Sequence, residues 1–217
     1  GKDANIAIIT TATNYPLEVG EEYKRIFYDI GASFVHTINI ETRKEANNRQ
    51  ILRNLENINC LFFTGGDQLR ITSMLGGTSL DAYLRKAWVA GAVVAGTSAG
   101  ASALSEHMIV EGNGKEEPRK CTVKLAPGLG LVQQAVIDQH FAQRGRIGRL
   151  LGSVAQNPYI LGIGIDEDTA IEVRPDRRFQ VVGSGSVTVI DGRGITLSNV
   201  SEAKPNEPLA LADVRLH

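Results

Sequence analysis

The chain has 217 residues, 23 basic and 24 acidic, which leaves a formal net charge of −1 with histidine neutral. Nucleic-acid binding draws on surplus positive charge to displace counterions from phosphates, and the bases here are interleaved with acids, which excludes that class of partner and argues against membrane-surface binding. Hydrophobic residues at 42% and charged residues at 22% are ordinary globular values, and a chain of this size buries roughly 70% of the surface it would expose unfolded.

With no linker in the sequence, one domain over residues 1–217 is expected. Two cysteines, Cys60 and Cys121, are too few for a disulfide framework and fit a reducing compartment. No apolar run approaches the ~18 residues of a membrane span. The opening residues Gly1 to Ala4 do not read as a secretory signal and lead straight into a strand, so an upstream strand or loop is expected.

Apolar runs of strand length alternate with stretches of helical period, the pattern of an α/β fold with a mostly parallel central sheet and helices on both faces. Ile6 to Ile9 reads as a strand, Leu17 to Ile30 as a helix ended by Gly31, and Phe34 to Ile40 as a second strand. Lys44 to Asn57 follows as a polar-faced helix, Cys60 to Phe63 as a strand, and Gln68 to Leu75 as a short helix stopped by Gly76 and Gly77. Leu80 to Ala90 is helical, Ala92 to Ala95 a buried strand, and a new helix begins near Ser98, with His107 on it or just beyond. Pro118, Pro127 and several glycines mark a loop-rich stretch before the strand Ala135 to Asp138 and an arginine-studded helix from about Arg144. From Tyr159 onward, short apolar runs between turn residues predict antiparallel strands at Ile160 to Ile165, Ala170 to Val173, Phe179 to Val182, Val187 to Ile190 and Ile195 to Asn199.

The stretch Ala92 to Ala101 runs from an apolar strand through Gly96-Thr97-Ser98-Ala99-Gly100 into small helix-compatible residues, the pattern of a nucleophile elbow. A sharp strand-to-helix turn would push Ser98 outward at a helix N-terminus, where the amide of Ala99 can stabilise an oxyanion. Two blander readings are a serine that only caps the next helix and a phosphate loop, though the lysine of a phosphate loop is absent.

Of four histidines, His217 is terminal, His36 lies in a strand and His107 is tied to the helix, which leaves His140 at the carboxyl end of a strand as the base. A structural histidine is the competing reading. Glu116 and Glu117 lie in a polar loop between serine and histidine and can supply the orienting carboxylate, or simply be solvated. Thr64-Gly65-Gly66-Asp67 could bring the amide of Gly66 to the same oxyanion, or be a turn capped by Asp67. Arg144, Arg146 and Arg149 suit a substrate rich in carboxylates, with solvated helix arginines as the alternative. No cluster has metal-ligand spacing, so neither a metal nor another cofactor is expected.

Thr64 to Gln68, Gly96 to Ala101 and Asp138-Gln139-His140-Phe141 with the three arginines together resemble cyanophycinase, and the likeness extends to Ala126 to Leu131 and Gly164 to Ala170. The elbow is also similar to that of aspartyl dipeptidases. The resemblance implies a cytoplasmic, homodimeric serine exopeptidase that releases β-Asp-Arg dipeptides from cyanophycin, a polyaspartate carrying arginine on its side chains. It implies Ser98 as nucleophile, His140 as base and Glu116 as orienting carboxylate, with Glu117 as the neighbour able to replace it. Gln68, Asp138, Gln139, Arg144, Arg146 and Arg149 would form the substrate pocket. A dipeptidase for α-aspartyl peptides and a catalytically silent module that binds Asp/Arg peptides are the competing functions.

Overall fold

The computed structural model describes residues 1–112 and 117–217. The chain divides into two compact units, Gly1–Leu104 and Ser105–His217.

In the first unit, β1 (Asn5–Ile9), β2 (Phe34–Ile38), β3 (Cys60–Phe63) and β4 (Val93–Gly96) form an all-parallel sheet in the order β2-β1-β3-β4. Ile6 and Ile8 pack with Val35 and with Tyr23 and Phe27 of α1 (Pro16–Asp29), where Phe62 meets the Phe27 ring edge-on at 5.2 Å. Ala7 and Ile9, facing the other way, are also buried. Burial on both faces is why β1 reads as an unbroken apolar run, whereas β4, expected to be buried, has Val93 exposed and the rest half-buried. Pro16 starts α1 where its missing N–H is not needed, and Gly31 at φ +90° lets the chain leave it.

The expected long helix from Lys44 to Asn57 is instead a 3-10 turn, Glu45–Asn47, and a short helix α2, Arg49–Arg53. The Asn48 side chain accepts from the Gln50 amide at 2.9 Å and caps a new start, the local bonding by which asparagine interrupts helices. Helices α3 (Gln68–Leu75) and α4 (Ser79–Val89) lie within a residue of expectation, followed by α5 (Ala99–Leu104) after β4.

The second unit carries β5 (Ser105–Glu111), β6 (Lys124–Pro127), β7 (Val132–Gln139), α6 (Ile147–Gln156), β8 (Leu161–Ile165), β9 (Thr169–Val173), β10 (Phe179–Gly183) and β11 (Val187–Asp191). A short pair, β12 (Leu197–Ser198) with β13 (Leu211–Ala212), precedes β14 (Arg215–Leu216). Six strands form a mixed sheet in the order β14-β11-β8-β7-β5-β6. His107 lies inside β5, not on a helix. The arginine-studded helix starts at Ile147, with Arg146 at its cap, so Arg144 belongs to the preceding turn.

The late strands are antiparallel as expected with one exception, since β8 pairs parallel to β7. Helix α6 supplies the crossover that a parallel neighbour requires. One face of the sheet packs Val136 and Ile190 against Leu150 and Val154 of α6. The other packs Ala135, Ile137, Ile163 and Ile165 under Ile171 and Phe179 of the β9–β10 ribbon.

Gly164 in β8 lies under the ring of Phe141, where an added Cβ would stand 2.5 Å from ring carbons. Phe141 is buried, so Gly164→Ala is expected to lower the unfolding free energy by about 1–3 kcal/mol in urea titration. A second expectation concerns Asp191, whose carboxylate accepts from the Arg193 Nε at 2.9 Å, Nη2 at 2.8 Å and backbone amide at 2.9 Å. The Arg193 side chain first, and then its amide, hold this carboxyl down from 3.8 to about 2. A depressed folded value means that the stabilisation is complete above the ordinary carboxylate range and is lost as pH falls through about 2. Asp191→Asn should therefore be less stable than the parent at neutral pH, with the gap closing between about pH 4 and pH 2. A gap that stays constant over that range in acid-denaturation curves would contradict the assignment.

Candidate active site

All four strands of the first sheet run the same way, so the loops that follow β1, β3 and β4 emerge at one carboxyl edge, where open α/β sheets place their sites. Residue 98 is the turn between β4 and α5, with Ser98 at φ +50°, in the left-handed region that a non-glycine residue rarely adopts. The reason lies two residues to either side. A Cβ at Gly96 would stand 2.5 Å from the Gly100 carbonyl carbon, and one at Gly100 would stand 2.3 Å from the Phe63 carbonyl oxygen. Strand and helix cross in backbone contact, and only glycine permits it.

The turn is further tied by Thr97 N–H to Phe63 O at 3.0 Å and Ser102 N–H to Ser98 O at 3.1 Å. The Tyr23 phenol is pushed up chiefly by burial, and the Thr97 side chain acts in the opposite direction. Ser98 is half-buried and Ala99, the first residue of α5, is buried. The Ala99 amide is therefore one of the exposed-end donors of a helix N-terminus.

Gly65 flanks the serine, since a Cβ there would lie 3.4 Å from Ser98 Cβ. Gly66 has φ +137° and passes so close to the β1 loop that a Cβ would stand 2.1 Å from Ala12 O. The next amide, of Asp67, donates to that same Ala12 carbonyl at 2.9 Å. Asp67 is a helix cap, its carboxylate accepting from the Leu69 amide at 2.8 Å, and Gln68 is the half-buried first residue of α3. Arg70 fixes the β1 loop through Thr13 O at 3.2 Å and Asn14 Oδ1 at 2.6 Å.

In the second unit, His140 is the first residue beyond β7 and has φ +51°. Its Nδ1 lies 2.8 Å from Glu167 Oε1. Glu167 is two residues beyond β8, and the parallel register that pairs Gln139 with Ile165 brings the two loop starts side by side. No expectation placed a role on Glu167. The chain order serine, acid, histidine of elbow hydrolases points to a carboxylate upstream of the histidine, whereas Glu167 lies downstream of it. The signal that could have found it was the second apolar strand, Ile160 to Ile165, ending in adjacent carboxylates. Glu116 lies outside the described residues. Glu117 is exposed and paired with Arg119.

The remaining expected pocket residues separate into two groups. Asp138 is 1% exposed and holds two guanidiniums, with Arg146 Nη1 at 3.0 Å from Oδ1 and Arg149 Nε at 2.6 Å from Oδ2. Arg149 Nη2 also donates to Oδ1, and Arg146 Nη1 to the Gln139 carbonyl. Gln139 Oε1 accepts from Arg146 at 3.2 Å. Burial holds Arg146 below the ordinary arginine value, Asp138 opposes this, and Arg149 and Arg144 add to it. Asp138 is thus a structural anchor inside a cluster with one more positive than negative charge. Arg144 stands apart, exposed on the turn. Among the described residues no group of three or more His, Cys, Asp and Glu is placed to hold a metal ion, and no helix is long and apolar enough to cross a membrane.

Comparison with known proteins identifies the family. The profile described as Peptidase family S51 matches residues 1–181. A cyanophycinase of Geminocystis herdmanii is 38% identical over all of this chain and 80% of its own length. One of Trichormus variabilis is 41% identical over 99% of this chain and 72% of its own, and one of Synechococcus elongatus 39% identical over 100% and 68%. Among solved structures, a peptidase from an acI-B1 Actinobacterium superposes with a TM-score of 0.69 at 22% identity over 99% of this chain and 83% of that one. A putative peptidase E protein from Listeria monocytogenes gives 0.59 at 19% identity over 84% and 87%. These two share the α/β fold with a parallel sheet. With a serine elbow, a carboxylate-bound histidine and a family profile over most of its length, the chain belongs to peptidase family S51.

Proposed function

We propose that the chain is a serine exopeptidase that cuts cyanophycin into β-Asp-Arg dipeptides, its two units acting as one peptidase domain. The observation that carries the reading is Ser98 on the left-handed bend between β4 and α5, in a chain that aligns over its whole length with 80% and 68% of two cyanophycinases. Ser98 Oγ attacks the scissile amide carbon as its proton passes to Nε2 of His140, and the amides of Gly66 and Ala99 receive the oxyanion. His140 then protonates the leaving amine, the amide bond breaks, and the acyl group remains on Ser98 until water releases it. An Nδ1–H donated to Glu167 fixes the tautomer in which Nε2 is the proton acceptor. We assign the orienting role to Glu167 on that 2.8 Å contact, with Glu116 as the other candidate.

Gln68, Asp138, Gln139, Arg144, Arg146 and Arg149 form the substrate pocket in this reading. Its support is the positive excess of the Asp138, Arg146 and Arg149 cluster, which suits the carboxylates of an aspartyl-arginine chain. The enzyme works in the cytoplasm as a homodimer, for which sedimentation at micromolar concentration is the check.

Ser98→Ala is expected to lower dipeptide release from cyanophycin by roughly 10⁶, as loss of the nucleophile does in a comparable serine protease. A loss of only twofold would end the proposal. Glu167→Gln is expected to lower turnover by roughly 10⁴, the size seen when an orienting carboxylate becomes an amide. If Glu116→Gln causes that loss instead, the role moves to Glu116. Mass analysis of products separates the alternatives. Predominant β-Asp-Arg supports the reading, and faster cleavage of α-aspartyl peptides favours the dipeptidase.

A further inference from the structure

His140 and Glu167 both stand on loops, one residue past β7 and two past β8. Loops sample more conformations than strands, and a displacement of about 1 Å between reacting groups can cost on the order of 100-fold in rate. Something must therefore hold these two loops together. Four hydrogen bonds around the couple meet that need. Phe141 N–H donates to Ile165 O at 3.1 Å, continuing the β7–β8 ladder by one rung past its end. Ala142 N–H donates to Asp166 Oδ1 at 2.9 Å. Glu167 N–H donates to Gln143 Oε1 at 3.2 Å. Ser186 N–H, from the turn before β11, donates to Asp166 Oδ2 at 3.1 Å.

Each loop thus captures an amide of the other, through a side chain adjacent to Glu167 on one side and three residues beyond His140 on the other. Among the described residues Asp166 has no cationic partner, and its two oxygens face amides from two different segments. A carboxylate suits this task better than an amide, because both of its oxygens accept. The Phe141 ring, seated over Gly164, anchors the same loop to the core.

The geometry points to Asp166, assisted by Gln143, as a positioning residue for the reaction, a clamp that holds the His140 loop in register with Glu167. This rests on the reading of His140 as base and Glu167 as its orienting carboxylate. Asp166 touches no reacting atom. Its effect passes through the couple, so it belongs in kcat and not in substrate affinity.

The test is a double-mutant cycle with cyanophycin as substrate. Asp166→Ala should lower kcat by about 10- to 100-fold and change KM by less than about twofold. Asp166→Asn, which keeps one acceptor oxygen, should fall between. In a Glu167→Gln background, where the couple is already broken, Asp166→Ala should add less than about twofold. A clamp that only supports the fold would instead give equal losses in both backgrounds, together with a lowered Tm, and that result would overturn the inference. So would full turnover in Asp166→Ala.

If Asp166→Ala does not fold, Gln143→Ala carries the test. Its side chain is exposed, and it should show the same kcat loss at smaller size, the same unchanged KM and the same silence in the Glu167→Gln background. Gln143→Ala at full turnover would then count against the clamp. Full turnover in Glu167→Gln would overturn the underlying reading and the clamp with it, whereas impairment there with none in Asp166→Ala would overturn the clamp alone.

Discussion

The chemistry proposed for this chain depends on a backbone crossing that leaves no room for a side chain. β4 enters and α5 leaves at an angle that puts the Gly96 Cα against the Gly100 carbonyl and the Gly100 Cα against the end of β3. Residue 98, at the apex, is held with φ +50°, a conformation that costs a non-glycine residue on the order of 1–2 kcal/mol. The rest of the unit sustains that cost. Thr97 is tied to Phe63, Gly66 is pressed against Ala12, and α1 reaches the bend through Tyr23. The return is a serine side chain at a helix N-terminus, with amides of α5 and of the Gly65-Gly66 turn near the same sheet edge.

The histidine stands on a bend of the same kind. His140 also has positive φ, and the reversal there sends Phe141 into the core and leaves the imidazole on Glu167. In both places a strand with a parallel neighbour supplies the position and a left-handed residue supplies the direction. The buried Asp138 one rung earlier is the counterpart of Phe141 on the polar side. With two arginines on one carboxylate, it ties β7 to the start of α6 and leaves a positive excess near His140 in sequence.

Those parts that depend on local sequence were legible from the start. The Gly96 to Gly100 spacing announced the elbow because the steric conflict it relieves is encoded within five residues, and the position of His140 followed from the apolar strand before it. The helix Gln68–Leu75 was readable from its Asp67 cap and its terminal glycines. What escaped depends on which strands become neighbours. Ile160 to Ile165 looks like its antiparallel successors, and nothing local marks it as the parallel partner of β7. That pairing is what reveals Glu167, since the carboxylate meets His140 only through the register of two strands whose paired residues, such as Gln139 and Ile165, are 26 apart in sequence. The pairing of Asp138 with Arg146 and Arg149 likewise joins β7 to the start of α6, and no local pattern marks it. The broken helix at Asn47 and Asn48 had a readable cause, two asparagines in a predicted helix interior, which the periodicity of the flanking residues concealed.

The central claim is that Ser98 is chemically activated by what the fold places around it. Intact-mass and peptide mapping after treatment with a serine-directed phosphonate test this most directly. The account predicts one adduct, located on Ser98, forming at a rate that collapses when His140 is replaced by alanine. An enzyme that degrades cyanophycin while Ser98 stays unmodified, or that is labelled just as fast without His140, would contradict it.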